Sequence, residues 1–210
     1  SGGENRIVIF PGANEKITPD KIEKFMDRYE HSIEIMLIQN EIPRESIKKA
    51  IEQARKSGKT IVYDPAPKEN TAVEYLTGID FLTPNETEFE YLYTLCGGTE
   101  KTSIEKKALW FKKHVQVKNL ILKQGSKGSL FVGEDGKIIL TPAFKVDSID
   151  STAAGDIFNA AFAVKYGLSK NIEESLVYAS AASAISVTRK GAQSSIPTDQ
   201  EVIELIRTHT

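Results

Sequence analysis

Residues 33–67, "IEIMLIQNEIPRESIKKAIEQARKSGKTIVYDPAP", decide the fold class. The apolar run at 33–39 reads as a strand, and residues 43–58 carry the period of an amphipathic helix that Gly58 closes. Residues 59–67 return to a strand. Strand, helix and strand at this spacing form a unit that joins two parallel strands by a helical crossover.

The same rhythm runs outward in both directions. "RIVIFPGAN" (6–14) reads as a strand ending in a turn. "TPDKIEKFMDRYE" (18–30) reads as a helix, with Thr18 as N-cap, Pro19 at the first helical position and an acidic first turn. "IDFLTPN" (79–85) is a short strand leading into the helical "ETEFEYLYTL", and a helix near 103–114 precedes the strand "NLILKQG" (119–125). This repetition predicts right-handed crossovers, a parallel sheet and helices on both faces. After Gly125 the pattern changes: 129–142 reads as a hairpin turning at Asp135-Gly136, and helices follow at about 153–167, about 171–188 and from Thr198. No internal repeat or low-complexity linker interrupts the chain, so residues 1–210 are expected to form a single α/β domain.

Composition narrows the function classes. The 210 residues are 40% hydrophobic and 27% charged, an ordinary globular balance. With 27 Lys+Arg against 29 Asp+Glu, the net charge of -2 argues against a nucleic-acid partner. No apolar run approaches the roughly 20 residues of a membrane span, and no secretory signal is read at the start. Cys96 is the only cysteine, which excludes an intrachain disulfide and fits a packing role and a cytoplasmic setting. His31, His114 and His209 show no ligand spacing. The opening "SGGENRIVIF" has no Met and enters a strand pattern almost at once, as a chain entered midway would.

In open α/β sheets ligands bind beyond the carboxyl ends of the strands, and the unusual stretches fall there. "DSTAAGD" (150–156) sets small residues and a glycine before a carboxylate at a helix mouth. Gly155 permits a conformation other residues avoid, the successive N–H groups form an anion cradle, and Asp156 would stand beside the anion as a base. The same residues also read as a plain helix cap with an acid placed for the dipole. "KQGSKG" (123–128) offers Gly125, Ser126 and Gly128, with Lys123 or Lys127, to a nucleotide phosphate, or simply turns into the hairpin. It lacks the Gly-Lys-Ser/Thr ending of a P-loop. "TPNETE" (83–88) places Asn85 and Glu88 on one face for a hydrated Mg²⁺, or as the two halves of a capping box. The carbonyls and hydroxyls of "VTRKGAQSSIP" (187–197) either ligate a cation with Asp150 or form a solvated loop.

Taken in order, "DPAP", "TPNETE", "KQGSKG" and "DSTAAGDIFNAAFA" (150–163) resemble the ribokinase-like carbohydrate kinases, the phosphofructokinase B family. Residues 187–197 resemble its ribokinase branch most. The resemblance spans essentially the whole chain. It implies a three-layer α/β/α fold with a mostly parallel sheet, and ATP-dependent phosphoryl transfer to O5 of D-ribose. Asp156 matches the family's catalytic base, and the backbone of Ala153, Ala154 and Gly155 its anion hole. Asn85, Lys123, Gly125, Ser126, Lys127 and Gly128 match nucleotide-contacting positions, with Ser180 bordering the adenine. Glu88 matches the acid associated with Mg²⁺ and phosphate, and Glu41 a sugar-contacting carboxylate. Asp150, Thr152, Ser186, Arg189, Gly191 and Ser195 match a monovalent-cation site, usually K⁺. The resemblance further implies a preceding segment with the first strands, the main sugar-binding residues and a β-sheet lid through which the full-length protein forms a homodimer. An uncovered sheet edge and reduced stability are expected without that segment. Two alternatives stay open: another acceptor such as fructose or 2-keto-3-deoxygluconate, and a nucleotide-binding module that does no chemistry alone.

Overall fold

The apolar alternation along the predicted strands requires two covers, one for each face of a sheet. The computed structural model describes residues 10–209, so residues 6–9 of the strand and turn expected at 6–14 lie outside the described residues; its end runs into a short 3-10 turn, Gly12–Lys16. Helix α1 (Pro19–Tyr29) follows with Thr18 as N-cap and Pro19 at N1, although the Thr18 side chain makes no capping hydrogen bond. Then come β1 (Ile35–Gln39), α2 (Arg44–Lys56), β2 (Thr60–Asp64), a one-turn α3 (Val73–Leu76) and β3 (Phe81–Leu82). Helices α4 (Glu86–Leu95) and α5 (Ile104–Val115) precede β4 (Asn119–Lys123). The hairpin is β5 (Ser129–Val132) and β6 (Ile138–Thr141), and α6 (Ala154–Ser169), α7 (Ile172–Val187) and α8 (Asp199–His209) complete the described chain.

Among the described residues the strands form one sheet in the order β1-β2-β3-β4-β5-β6. Strands β1 to β4 are parallel, while β5 and β6 are antiparallel to their neighbours. Sequential order with crossovers of one hand places α2, α4 and α5 on the same face. That face buries Ile61, Tyr63, Leu82, Leu120, Leu122, Leu130 and Val132 against Ile47, Ile51, Phe89, Leu92 and Phe111. The intervening strand residues Val62, Phe81, Ile121 and Phe131 point the other way, onto Phe158 and Phe162 of α6 and Leu176 and Ala179 of α7. The period of two along each strand therefore feeds two cores, as the three-layer expectation requires.

The hairpin turns at Asp135-Gly136 as expected: Gly136 sits at φ 82°, and Asp135 Oδ1 accepts from Lys137 N at 2.9 Å. Cys96 is half-buried against the α2/α4/α5 core, and burial raises its thiol pKa. Strand β1 is an outer strand of the described sheet, with Leu37 41% exposed. No described helix is long and apolar enough to cross a membrane.

Candidate active site

Helix α6 starts without a side-chain cap. Its N-cap, Ala153, lies in the left-handed region at φ 61° and ψ 8°. The special backbone conformation therefore falls on Ala153, whereas Gly155 is not among the positive-φ residues and lies in the first helical turn. Gly155 contributes openness instead: a Cβ there would meet only Lys123 Nζ, at 3.5 Å. Ala154 N donates back to Ser151 O at 3.2 Å. Among the described residues the amides of Ala153, Gly155 and Asp156 donate to no protein acceptor. Donors left open at a helix N-terminus, with the dipole behind them, are a place for an anion. Of the three expected anion-hole residues, Ala154 thus presents its small size rather than its amide.

Beneath this turn the sheet ends in a compact polar cluster. Gln39, Asp64 and Lys123 are the last residues of β1, β2 and β4, and the parallel register sets Gln39 opposite Asp64. Asp64 is 2% exposed. Its carboxylate accepts from Asn159 Nδ2 of α6 at 2.6 Å, from Lys123 Nζ at 3.3 Å to both oxygens, and from Gln39 Nε2 at 3.3 Å. The same Gln39 Nε2 donates to Asp156 Oδ1 at 2.6 Å. Burial raises the Asp64 pKa from its ordinary value, with the Lys123 ammonium pulling it back down.

A cleft of about 570 Å³ opens beside the α6 turn. Asn85, Lys123, Gly125, Ser126, Gly128, Ala154, Gly155 and Ser180, all expected nucleotide or anion-hole positions, line it together. Phe144, Val146, Phe158 and Val187 supply an apolar wall. Gly128 is required sterically: at φ 100°, an added Cβ would fall 1.9 Å from Thr141 O. Ser180 Oγ donates to Pro142 O at 3.3 Å, which ties the α7 wall to the strand leaving the hairpin. Asn85 and Glu88 form a complete capping box: Glu88 N donates to Asn85 Oδ1 at 2.9 Å, and the Asn85 amide N donates to Glu88 Oε2 at 2.7 Å. The Asn85 side chain also donates to Glu88 Oε1 at 2.7 Å. Burial pushes the Glu88 carboxyl pKa up, against the Asn85 backbone hydrogen bond.

Glu41 stands elsewhere, in a second cavity of about 390 Å³ between α1 and β1 that Gln39 also lines. Gln39 of this cavity also donates to Asp156, the residue that follows Gly155 of the larger cleft. A cleft with an open amide at Gly155, a smaller cavity with a carboxylate at Glu41, and an exposed acid that adjoins Gly155 in the chain and is bonded to Gln39 suit transfer of an anionic group from one ligand to another.

A family model described as "pfkB family carbohydrate kinase" matches residues 1–199. The chain belongs to this family. It is 37% identical over 203 residues to a ribokinase of Haemophilus influenzae, covering 97% of this chain and 65% of that protein. The solved ribokinase of Thermotoga maritima superimposes with a TM-score of 0.85 at 42% identity, over 98% of this chain and 66% of that one. An Arabidopsis thaliana ribokinase, solved with ribose and ATP, gives 0.84 at 32% identity, over 98% of this chain and 66% of that one. The fold is the ribokinase-like α/β fold.

The pfkB-type loop at 187–197 closes against the start of the α6 turn. Asp150 Oδ1 accepts from Thr152 N and Oδ2 from Gly191 N, each at 2.9 Å. The Thr152 hydroxyl and these two amides hold the Asp150 carboxyl pKa down to about 2. Arg189 N donates to Ser186 O at 3.1 Å, while the Arg189 guanidinium pairs with Glu201 at 2.5 Å. Ser195 is fully buried at the far end of the loop, its hydroxyl on Ala192 O at 2.7 Å. Of the six expected cation positions, Arg189, Gly191 and Ser195 lie on this loop and Ser186 in the last turn of α7 before it, while Asp150 and Thr152 precede α6 and meet the loop through the Asp150–Gly191 bond. One carboxylate among many carbonyls and hydroxyls suits a weakly held monovalent ion; among the described residues no three His, Cys, Asp or Glu side chains gather for a harder one.

Lys127 departs from expectation: its side chain is 70% exposed and its ammonium donates to Glu86 Oε1 at 3.0 Å, and it is absent from the cleft lining. The histidines remain apart, His114 stacked on Trp110 and His209 edge-on to Phe144. The sequence alone gives no role to Gln39, Asp64 or Asn159, although Asp64 opens the "DPAP" stretch. The only available signal was position, since Gln39 and Asp64 end two strands at the ligand edge, within "IQNEIP" and "YDPAP".

Proposed function

We propose that the protein is the catalytic portion of an ATP-dependent ribokinase, acting on D-ribose to give D-ribose 5-phosphate. The observation that carries this reading is the Asp156 carboxylate, bonded to Gln39 of the cavity that contains Glu41 and next in the chain to Gly155 of the larger cleft. In this reading the nucleotide lies in the larger cleft, its base against the Phe144 and Ser180 side and its γ-phosphate at the amides of Ala153, Gly155 and Asp156. Ribose lies toward Glu41. Asp156 takes the proton of the O5 hydroxyl as the O5–phosphorus bond forms and the bond to the ADP bridging oxygen breaks. The open amides and the Lys123 ammonium hold the charge on the transferring group.

The residues present fit two ions. Asn85, exposed at the cleft, and the buried Glu88 bonded to it would hold a hydrated Mg²⁺ on the nucleotide phosphates, which neutralises phosphate charge when bound. Asp150 and the carbonyls of 186–195 would hold K⁺, keeping the Ala153 turn in shape without touching substrate. The ribokinases of Haemophilus influenzae and Arabidopsis thaliana support ribose as acceptor, and dependence on ATP supports a cytoplasmic setting. We read residues 1–210 as one catalytic unit with no nucleic-acid partner.

The test is turnover of the purified protein with ATP, Mg²⁺ and K⁺, reading ADP release and product mass across a panel of sugars. Ribose-dependent ADP release with a product heavier by one phosphoryl group supports the reading. Greater turnover with fructose or 2-keto-3-deoxygluconate moves the acceptor. Nucleotide binding with no turnover on any sugar overturns the reading and leaves a binding module.

A further inference from the structure

The carboxylate that organises the site most heavily is not the proposed base. Asp64 is buried and takes donors from three separate elements: Gln39 of β1, Lys123 of β4 and Asn159 of α6. Two of those donors also face the proposed ligands. Gln39 Nε2 reaches Asp156, and Lys123 Nζ lies beside the Gly155 backbone in the nucleotide cleft. We propose that Asp64 is a positioning residue: its buried carboxylate aims the Lys123 ammonium at the phosphoryl cradle and the Gln39 amide at Asp156. This rests on the kinase reading above.

Geometry fixes both orientations. A Gln39 amide turned over would set its carbonyl oxygen against two carboxylates, so the NH₂ end faces Asp64 and Asp156 together. Asn159 is held the same way: its Nδ2 meets Asp64 while its buried Oδ1 has no partner among the described residues. An orphaned buried acceptor is a cost that this arrangement accepts to keep the NH₂ on Asp64. Lys123, only 13% exposed, rests on a carboxylate that is 3% exposed. Such a pair is a poor way to stabilise a core, because well-packed apolar residues do as well or better. Its value lies in where it holds the ammonium before an anion arrives. When a phosphoryl group occupies the cradle, Lys123 shares its donors between Asp64 and that group without a new rotamer search.

The test uses Asp64→Asn, Lys123→Met and the double variant, with Asp64→Ser in place of Asp64→Asn should the latter not fold. Three quantities are read: thermal midpoint, steady-state kinetics with ribose, and the ratio of affinities for a non-hydrolysable ATP analogue and ADP, both with Mg²⁺ and without sugar. Asp64→Asn is expected to lower kcat by about ten- to hundredfold while moving KM for ATP much less. It should also shrink the preference for the triphosphate analogue. Lys123→Met strands a buried carboxylate and has the lowest midpoint; the double variant recovers the midpoint but neither kcat nor the triphosphate preference. A purely structural pair predicts that turnover returns with the midpoint in the double variant, and that result overturns the proposal. So does an Asp64→Asn protein with wild-type kcat and an unchanged affinity ratio. If the wild-type protein binds nucleotide but phosphorylates no sugar, the kinase reading fails, and the affinity ratio still decides whether Asp64 aims Lys123.

Discussion

Two helices begin at the same edge of the sheet and begin differently. Helix α4 opens on Asn85, whose side chain meets Glu88 N while the Glu88 carboxylate meets Asn85 N, so the terminus is closed by its own residues. Helix α6 opens on Ala153, a left-handed residue with no side-chain oxygen, and the amides of Gly155 and Asp156 stay open. Both termini line the same cleft through Asn85 and Gly155. Helix α4 satisfies its own first amides through its cap. A helix that leaves donors open at a cleft, and holds a non-glycine residue at positive φ to do so, is built for something that arrives later.

The largest effect should come from the open terminus. Asp156→Asn keeps the side-chain volume and an oxygen for the Gln39 amide but removes the base. Sugar-dependent turnover is expected to fall about 10²- to 10⁴-fold, with thermal midpoint and ADP affinity nearly unchanged. An Asp156→Asn protein with near-normal turnover would make the two termini functionally alike and remove the distinction.

The closed terminus should answer in stability. Asn85→Ala removes the acceptor for Glu88 N and one donor to a buried carboxylate. It is expected to cost about 1–2 kcal/mol. For a chain of this size that lowers the midpoint by roughly 3–6 °C. Nucleotide affinity should also weaken, since Asn85 lines the cleft. A loss of affinity with no change in midpoint would mean that the capping box contributes little to folding and that α4 resembles α6.

What could be read in advance follows from the range of each interaction. Helix α2 was legible because its buried residues Ile47, Ala50, Ile51 and Ala54 repeat within one short segment. The strands at 35–39, 60–64 and 119–123 were legible as apolar runs, and the α4 capping box was visible because its two residues are three apart. The one-turn α3 was not, since four residues carry no period. The cluster at Asp64 was not legible either. Gln39, Asp64, Lys123 and Asn159 meet only through strand register and the packing of α6, and no local pattern encodes either. Glycine content misplaced the special conformation: the expectation fell on Gly155, yet the left-handed residue is Ala153, next to Thr152, whose amide Asp150 holds together with that of Gly191 in the 187–197 loop.

That loop provides the smallest and most local prediction. Asp150 bonds the amides of Thr152 and Gly191, and its pKa of about 2 lies below the ordinary carboxyl value. A folded-state pKa below the unfolded one means that Asp150 contributes stability in full above about pH 4. The contribution is lost as the pH falls from about 4 through about 2. Glu201, held down to about 2 mainly by the Thr198 amide and by Arg189, loses its hold over a similar window. Asp64 and Glu88, whose pKa values burial raises, run the opposite way: ionising them costs folded stability, and protonating them relieves it. Whole-protein acid melting therefore mixes opposing signs, and the clean measurement is the difference between wild type and Asp150→Asn. That difference should be present at pH 7, shrink below pH 4 and vanish near pH 2. At pH 7 the variant should exchange the hydrogen-bonded amide hydrogens of Thr152 and Ala154 faster, with that of Glu88 unchanged. Equal acceleration at both helix starts would mean that the loop supports the sheet edge as a whole. Acceleration confined to Thr152 and Ala154 would show that the open terminus depends on its neighbouring loop for a shape that α4 makes for itself.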